Sequence, residues 1–285
     1  MEIALKDKNV VTLQDISCFG KCSITVALPV ISAMGLSCAV IPTAVLSTHT
    51  GGFKGFTFRD LTDDIPSVSE HWQREGLSFD GIYTGYLGSR RQIGMIIDFI
   101  ESFRRDTLIF VDPAMADHGK LYTGFDMDFV SAMRELCSKA DIIVPNITEA
   151  AMMLGCEYKA SGYDEAYIHT MLRRLCDLGC RRALLTGVSY DSGHRGCVCY
   201  DRENDCFESY FSENIPVESH GTGDVFASSF FGALMLGKQI GEAMKIAVDF
   251  TVASIRATLG DAGHWYGVKF EKCLPGLIES VACEN

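Results

Sequence analysis

The sequence predicts an α/β protein of three layers, αβα, with a mainly parallel central sheet. Three observations carry that prediction. Short apolar runs alternate with amphipathic helical stretches from residue 9 to residue 259, the pattern of βαβ units whose crossovers cover both faces of a parallel sheet. Carboxylates, hydroxyls and glycines recur just after the predicted strands, where an open α/β sheet binds its ligands. A glycine-rich turn, His220-Gly221-Thr222-Gly223-Asp224, opens a late apolar helix. No linker, low-complexity tract or internal repeat interrupts the alternation, so residues 1–285 read as one domain.

In chain order, residues 9–16 form a buried strand, Gly20 a turn, and Ser23 the N-cap of a helix ending at Gly35. Residues 37–45 are the next strand, opening into the polar loop 47–53. Ser67 with Glu70, and Ser89 with Gln92, match capping boxes that start two helices. Between them lies a strand at 79–86. Strands follow at 108–111, 141–144 and 183–186, with helices at 126–139, 148–154 and 164–178. Residues 196–211 read as two strands around a polar turn at 201–205, a hairpin. Helices close the chain, from Thr222 onward and over 241–259.

The turn at 221–224 is where chemistry is expected. A glycine-rich turn feeding a helix N-terminus presents free backbone N–H groups and the positive end of the helix dipole, so its natural guest is an anion such as phosphate. Phe226, Phe230, Ala233 and Leu234 share one face of the following helix. Two readings fit Asp224: a helix N-cap, or a carboxylate that takes a proton from a second molecule while the N–H groups hold a moving phosphoryl group. The rim of polar residues favours the second. Asp15 and Ser17 follow the first strand, His49 and Thr50 the second, Tyr86 the third, Asp112 and Asp117 the fourth, Asn146 and Glu149 the fifth, and Thr186-Gly187 the sixth. Asp117 and Glu149 are hard oxygen donors suited to Mg²⁺ beside phosphates, although Glu149 also suits the first turn of a helix. Tyr86 could stack on a flat ring or pack, and His49 could meet a substrate or sit satisfied in its loop. The stretch Ser192-Gly193-His194-Arg195-Gly196 reads as a cover near a nucleotide or as a plain loop.

Composition narrows the classes. Hydrophobic residues make up 47% and charged residues 22%, as in ordinary globular chains. A net charge of −12 leaves no electrostatic footprint for nucleic acid. No apolar run reaches membrane-span length and the first residues lack a leader's apolar segment, so a cytoplasmic location is expected. The 12 cysteines are scattered without a C-x-x-C pair and read as small apolar residues rather than disulfides or a zinc site.

Gly221-Thr222-Gly223-Asp224 resembles the signature of the ribokinase-like superfamily of small-molecule kinases. Within it, the chain is similar to the pyridoxal (vitamin B6) kinases. Ser47-Thr48-His49-Thr50-Gly51, Thr84-Gly85-Tyr86-Leu87-Gly88-Ser89, Val111-Asp112-Pro113-Ala114-Met115-Ala116-Asp117 and Pro145-Asn146-Ile147-Thr148-Glu149 carry the likeness over nearly the whole chain. The resemblance implies a ribokinase-like fold and ATP-dependent phosphorylation of the 5′-hydroxyl of pyridoxal, pyridoxine and pyridoxamine. It makes Asp224 the base, with the N–H groups of residues 221–224 as the anion hole. His49, Thr50 and Tyr86 would hold the pyridine ring. Asp117 and Glu149, near Asn146 and Asp112, would organise Mg²⁺ and the triphosphate, and Thr186 and Gly187 would touch the nucleotide. ATP, Mg²⁺ and a homodimer are implied; a monovalent cation (K⁺) is left open.

The chain also departs from that pattern. Asp15 stands where many pyridoxal kinases carry Ser, with Ser17 two residues on as a substitute. An Asp beside the ring could turn preference toward the amine-bearing pyridoxamine. Ala116 replaces the family's usual Gly, and Gly187 lacks a hydroxyl that some relatives have. The alternatives are a hydroxymethylpyrimidine kinase of the same fold, against which the His49 loop and residues 85–89 speak, and a non-catalytic B6 or nucleotide binder, which has no need of Asp224. A sugar kinase would carry an early Gly-Gly-rich segment that is missing here.

Overall fold

The computed structural model describes residues 8–217 and 219–282; the opening residues 1–7, read above for a leader, lie outside them. The chain runs β1 (Asn9–Ser17), α1 (Ile24–Ala33), β2 (Ser37–Leu46), β3 (Phe58–Asp60), α2 (Ile65–Arg74), β4 (Gly81–Thr84), α3 (Arg90–Phe103) and β5 (Leu108–Val111). It continues with β6 (Ala116–Asp117), β7 (Lys120–Leu121), α4 (Met127–Ser138), β8 (Ile142–Ile143), α5 (Ile147–Leu154), α6 (Glu165–Cys176) and β9 (Arg182–Val188). A hairpin of β10 (His194–Asp201) and β11 (Cys206–Glu213) leads to α7 (Thr222–Met235), α8 (Ile240–Arg256) and α9 (Leu274–Val281).

One nine-stranded sheet holds the order β11-β10-β9-β8-β5-β4-β1-β2-β3. It is parallel from β9 to β2, with antiparallel strands at both edges. The inner strands are buried on both faces, which is why β1 and β5 read as continuous apolar runs rather than alternating ones. Helices α2 to α6 pack on one face, around Ile82, Ile109, Phe99 and Leu172. Helices α1, α7, α8 and α9 pack on the other, around Phe110, Phe230, Phe231 and Val30. Each such fully buried side chain stabilises the fold by about 1.5–3 kcal/mol. The expected three-layer architecture and the hairpin are both present.

Several details correct the expectations. Ser67 is not an N-cap: α2 begins at Ile65-Pro66, directly after a 3₁₀ turn, and Ser67 Oγ donates back to Asp64 O at 2.8 Å. Proline's fixed φ suits the first helical turn, so the helix starts before the capping pattern. Ser89 does cap α3, accepting from Gln92 N, but the Gln92 side chain accepts from Gly88 N instead of closing the box on Ser89. The edge strand β3, the small β6–β7 hairpin and α9 were not foreseen. The ladder of β4 spans only Gly81–Thr84. Among the described cysteines all are free, and five of them, at positions 137, 176, 180, 197 and 199, are buried. No helix among the described residues is long and apolar enough to cross a membrane.

Candidate active site

The carboxyl ends of the parallel strands converge on the start of α7. Gly221 occupies the N-cap position at φ 77°, with no side-chain cap, and Asp224 is the third residue of the helix. Asp224 therefore does not cap α7. A Cβ on Gly221 would lie 1.6 Å from Lys21 O, so glycine is forced both by backbone conformation and by contact with the 20–23 loop. Helix geometry leaves the N–H groups of Thr222 and Gly223 without intrahelical acceptors.

Asp224 is half-buried, and its carboxyl is pushed up to about 7. Burial is the main cause and the Asp15 charge adds to it, while a hydrogen bond from the Ser23 backbone opposes both. Ser23 adopts φ 52°, unusual for a non-glycine residue, at the head of α1. The expected side-chain cap by Ser23 is absent; its backbone serves Asp224 instead.

On one side of Asp224 stand residues of β1 and its neighbours. Asp15 is buried and accepts from Ser17 Oγ at 2.9 Å. Burial raises its carboxyl, with the Ser23 and Ser17 hydroxyls opposing. The Cys22 thiol faces both carboxylates and is raised by burial, Asp224 and Asp15. Tyr86 stacks on Phe125 at 5.6 Å, and burial and the Asp15 charge push its hydroxyl up to about 12. Thr50 is exposed at the rim. His49 is already satisfied by protein: Nδ1 accepts from Gly51 N at 3.1 Å and Nε2 donates to Tyr266 O at 2.9 Å. Burial lowers its proton affinity, so it is neutral. Its ring packs against Gly20, where a Cβ would fall 2.1 Å from His49 Cδ2. His49 thereby ties the 47–53 loop to the 264–267 segment, and Phe19, Phe53, Trp265 and Tyr266 form an aromatic wall above it.

On the other side stand Asp112, Glu149 and Asn146. Asn146 caps α5 in a full capping box with Glu149, and its Nδ2 donates to Ala116 O at 2.8 Å. Both Glu149 oxygens are occupied, Oε1 by Met115 N and Ala116 N, Oε2 by Asn146 N. Burial and the Asp112 charge raise the Glu149 carboxyl against those three donors. Asp112 accepts no hydrogen bond from described residues, and burial and Asp224 raise it too. Asp117, by contrast, has a side chain 55% exposed and pairs with His118. Tyr122 faces Glu149, Asp117, Asp112 and Asp224 together. Thr186 bridges Asn146 through the backbone, and Gly187 follows at φ 70°. The 192–196 stretch is pinned: Asp191 accepts from Gly193 N and His194 N, and β10 starts at His194. A cavity of about 340 Å³ is lined by Val217, Ser219, Leu259, Asp261, His264 and Trp265.

Asn146 thus organises two segments at once. Asn146→Ala should lower stability by about 1 kcal/mol through the lost cap, with a further loss from the freed Ala116 carbonyl; thermal unfolding measures it. Among the described residues no three His, Cys, Asp or Glu side chains converge as a metal cage. Reading the chain alone missed the electrostatic link of Asp112 to both Glu149 and Asp224, and the part played by Ser23, Tyr122 and residues 264–267. Asp112 followed a strand like the others; nothing local singled it out.

An open α/β sheet with an acidic helix entry behind a glycine turn is the arrangement of ribokinase-like small-molecule kinases. The model of the family described as phosphomethylpyrimidine kinase matches residues 20–268. A Bacteroides thetaiotaomicron protein, described provisionally as a phosphomethylpyrimidine kinase, has a crystal structure with TM-score 0.92 and 39% identity, covering 97% of this chain and 96% of its own. A second crystal form of that protein contains pyridoxal. Pyridoxal kinase from Lactobacillus plantarum follows at TM-score 0.88 and 30% identity, over 95% of this chain and 97% of its own. A bifunctional thiamine-biosynthesis protein of Geobacter sulfurreducens is 28% identical over 87% of this chain, which spans 49% of that relative's length. The chain belongs to the phosphomethylpyrimidine kinase family, and it is a kinase of the group that joins pyridoxal and hydroxymethylpyrimidine kinases.

Proposed function

We propose that the protein uses ATP to phosphorylate the 5′-hydroxyl of B6 vitamers. The observation that carries this reading is Asp224: a half-buried carboxyl pushed up to about 7, third residue of the helix opened by the Gly221 turn, with the Asp15 charge beside it. A base with proton affinity near ambient pH can take the hydroxyl proton as the oxygen attacks the γ-phosphorus and the bond to the β-phosphate oxygen breaks. The N–H groups of residues 221–224 would hold the phosphoryl group in passage. Tyr86, Thr50, Asp15 and Ser17 would surround the ring, with His49 shaping the loop. Asp112, Asn146, Thr186 and Gly187 would face the nucleotide, with adenosine in the cavity lined by Ser219, Leu259 and His264.

The residues present fit Mg²⁺ in its hydrated form. Asp112 is unengaged among the described residues and Glu149 retains lone-pair capacity beside it, with Asp117 at the rim, while the described residues form no protein cage. Bound with ATP, the ion would neutralise charge on the triphosphate. The same reading carries a homodimer in the cytoplasm, the first part of which light scattering tests.

A second reading, phosphorylation of hydroxymethylpyrimidine, is favoured by the thiamine-biosynthesis relative. Side-by-side assays of pyridoxal, pyridoxine, pyridoxamine and hydroxymethylpyrimidine with Mg-ATP separate the two. Turnover of the vitamers supports the first; turnover of the pyrimidine alone replaces it. Asp15 adds a ranking. A second carboxylate near Asp224 favours a substrate that brings positive charge, so pyridoxamine should lead. Asp15→Ser should reduce kcat/KM for pyridoxamine by about tenfold relative to pyridoxal, the scale of one charged hydrogen bond. Unchanged relative rates would remove Asp15 from specificity.

A further inference from the structure

One short segment after α8 lines the 340 Å³ cavity and also packs against the 47–53 loop. His264, Trp265 and Gly267 line the cavity together with Ile255, Leu259 and Ser219. Ser219 stands two residues before Gly221, the N-cap of α7. The same segment meets the loop that follows β2. The Trp265 and Phe53 ring centroids are 4.5 Å apart, and a Cβ on Gly52 would fall 2.8 Å from Trp265 Cζ3. Tyr266 O accepts from His49 Nε2 at 2.9 Å. Trp265 therefore has the cavity and the loop as neighbours at once, and its side chain is still half-exposed.

The two partners differ in stiffness. The segment is braced: His264 Nδ1 donates to Gly267 O at 2.8 Å, and Lys269 N donates to Thr258 Oγ1 at 2.8 Å. Asp261 accepts from Gly263 N at 3.1 Å and from Lys269 Nζ at 2.5 Å. The Tyr266 ring lies 4.7 Å from Phe19, and a Cβ on Gly267 would meet Lys21 Cβ at 2.2 Å, so the segment also rests on the loop before α1. Residues 47–53 form no helix or strand. Gly51 and Gly52 widen the choice of backbone conformations there. The conformation of such a loop is set by what it rests on, and here His49, Gly52 and Phe53 rest on the braced segment.

We propose that Trp265 is a positioning residue that couples the cavity to the substrate loop. An adenosine group seated in the cavity packs on the indole, holds it against Gly52 and Phe53, and so fixes the 47–53 loop for the vitamer. This inference rests on the kinase reading, with adenosine in that cavity. The coupling is an ordering effect. A half-exposed indole has rotamer freedom to lose, and the first ligand meets that cost, so the second binds to a loop already in place. Linkage makes the effect mutual, and the vitamer tightens nucleotide binding by the same factor.

AMP is the probe, because it fills an adenosine site without the γ-phosphate that would meet the substrate hydroxyl. Calorimetric titration with pyridoxine should give a dissociation constant about fivefold lower at saturating AMP, the lower end of ordinary coupling between sites. Trp265→Ala should bring the two constants together. Trp265→Phe, which keeps a ring against Phe53, should retain most of the difference. Hydrogen exchange adds a readout that needs neither variant nor vitamer: AMP alone should slow amide exchange at residues 49–53 of the wild type. Equal pyridoxine constants with and without AMP, or a difference that persists in full in Trp265→Ala, overturn the proposal, as does exchange at 49–53 that ignores bound AMP. A wild type that binds AMP and protects the loop, yet takes no B6 vitamer, would sink the B6 reading and leave the coupling standing. AMP that does not bind at all overturns both.

Discussion

Asp224→Asn should abolish turnover, with kcat falling by about 10²–10⁴-fold, while the dissociation constant for nucleotide changes little. The amide keeps the shape and the neighbouring N–H groups but cannot accept the substrate proton, and general-base catalysis contributes on that scale. The wild-type rate should itself rise with pH through about 7, where the Asp224 carboxyl ionises. The same variant should be more heat-stable. A carboxyl raised from 3.8 to about 7 on folding binds more protons in the native than in the unfolded state between those values. Native stability contributed by this group therefore falls as pH rises from about 4 to about 7. The gain from Asn should accordingly be absent at pH 4 and complete above pH 7. Unfolding curves at both ends, run beside the kinetic assay, check it. A variant that retains most of its rate contradicts the assignment of the base.

Gly221→Ala should lower kcat/KM by at least about 100-fold and lower the melting temperature as well. Two causes add. The left-handed conformation at φ 77° costs a side chain about 1–2 kcal/mol, and the new methyl would overlap Lys21 O at 1.6 Å. The turn and the 20–23 loop cannot both stay in place. Displacement by about 1 Å is enough to misdirect the N–H groups, and errors of that size cost about 10² in rate. Gly223 supplies the control. A Cβ there meets nothing within 4 Å, so Gly223→Ala should unfold like wild type. Equal melting temperatures for the two alanine variants would show that the 221 contact does not hold the loop. Calorimetry on both, with nucleotide binding measured in parallel, separates damage to the fold from damage to the anion site.

The inner strands were legible because each is an apolar run bounded by turn residues, and α4, α5 and α6 as helical stretches between them; that Asp126, Asn146 and Asp164 cap those helices is a finding of the structure. The short elements were not. A ladder of two or three residues, as in β3, β6 and β7, carries no period to detect. Ser67 had the spacing of a cap, but the proline one residue earlier started the helix first.

At the candidate site, residue type and position after a strand were enough to gather Asp15, Tyr86, Asp112, Asn146, Glu149 and Asp224 on one rim. Local pattern could not say what each side chain does there. Glu149 satisfies three backbone donors, His49 spends both nitrogens on its own loop, and Asp117 turns out to solvent. Residue order thus determines the sheet, the helix layers and the glycine turn at the entry to α7, because those follow from hydrophobic period and from glycine at a helix start. Only the tertiary structure decides that Asp15, Asp112 and Asp224 share one buried field, or that Tyr83 lies near Asp112 and Asp224. Proton affinity depends on burial and on charges brought near from distant parts of the chain, and neither quantity is a property of a local stretch of sequence.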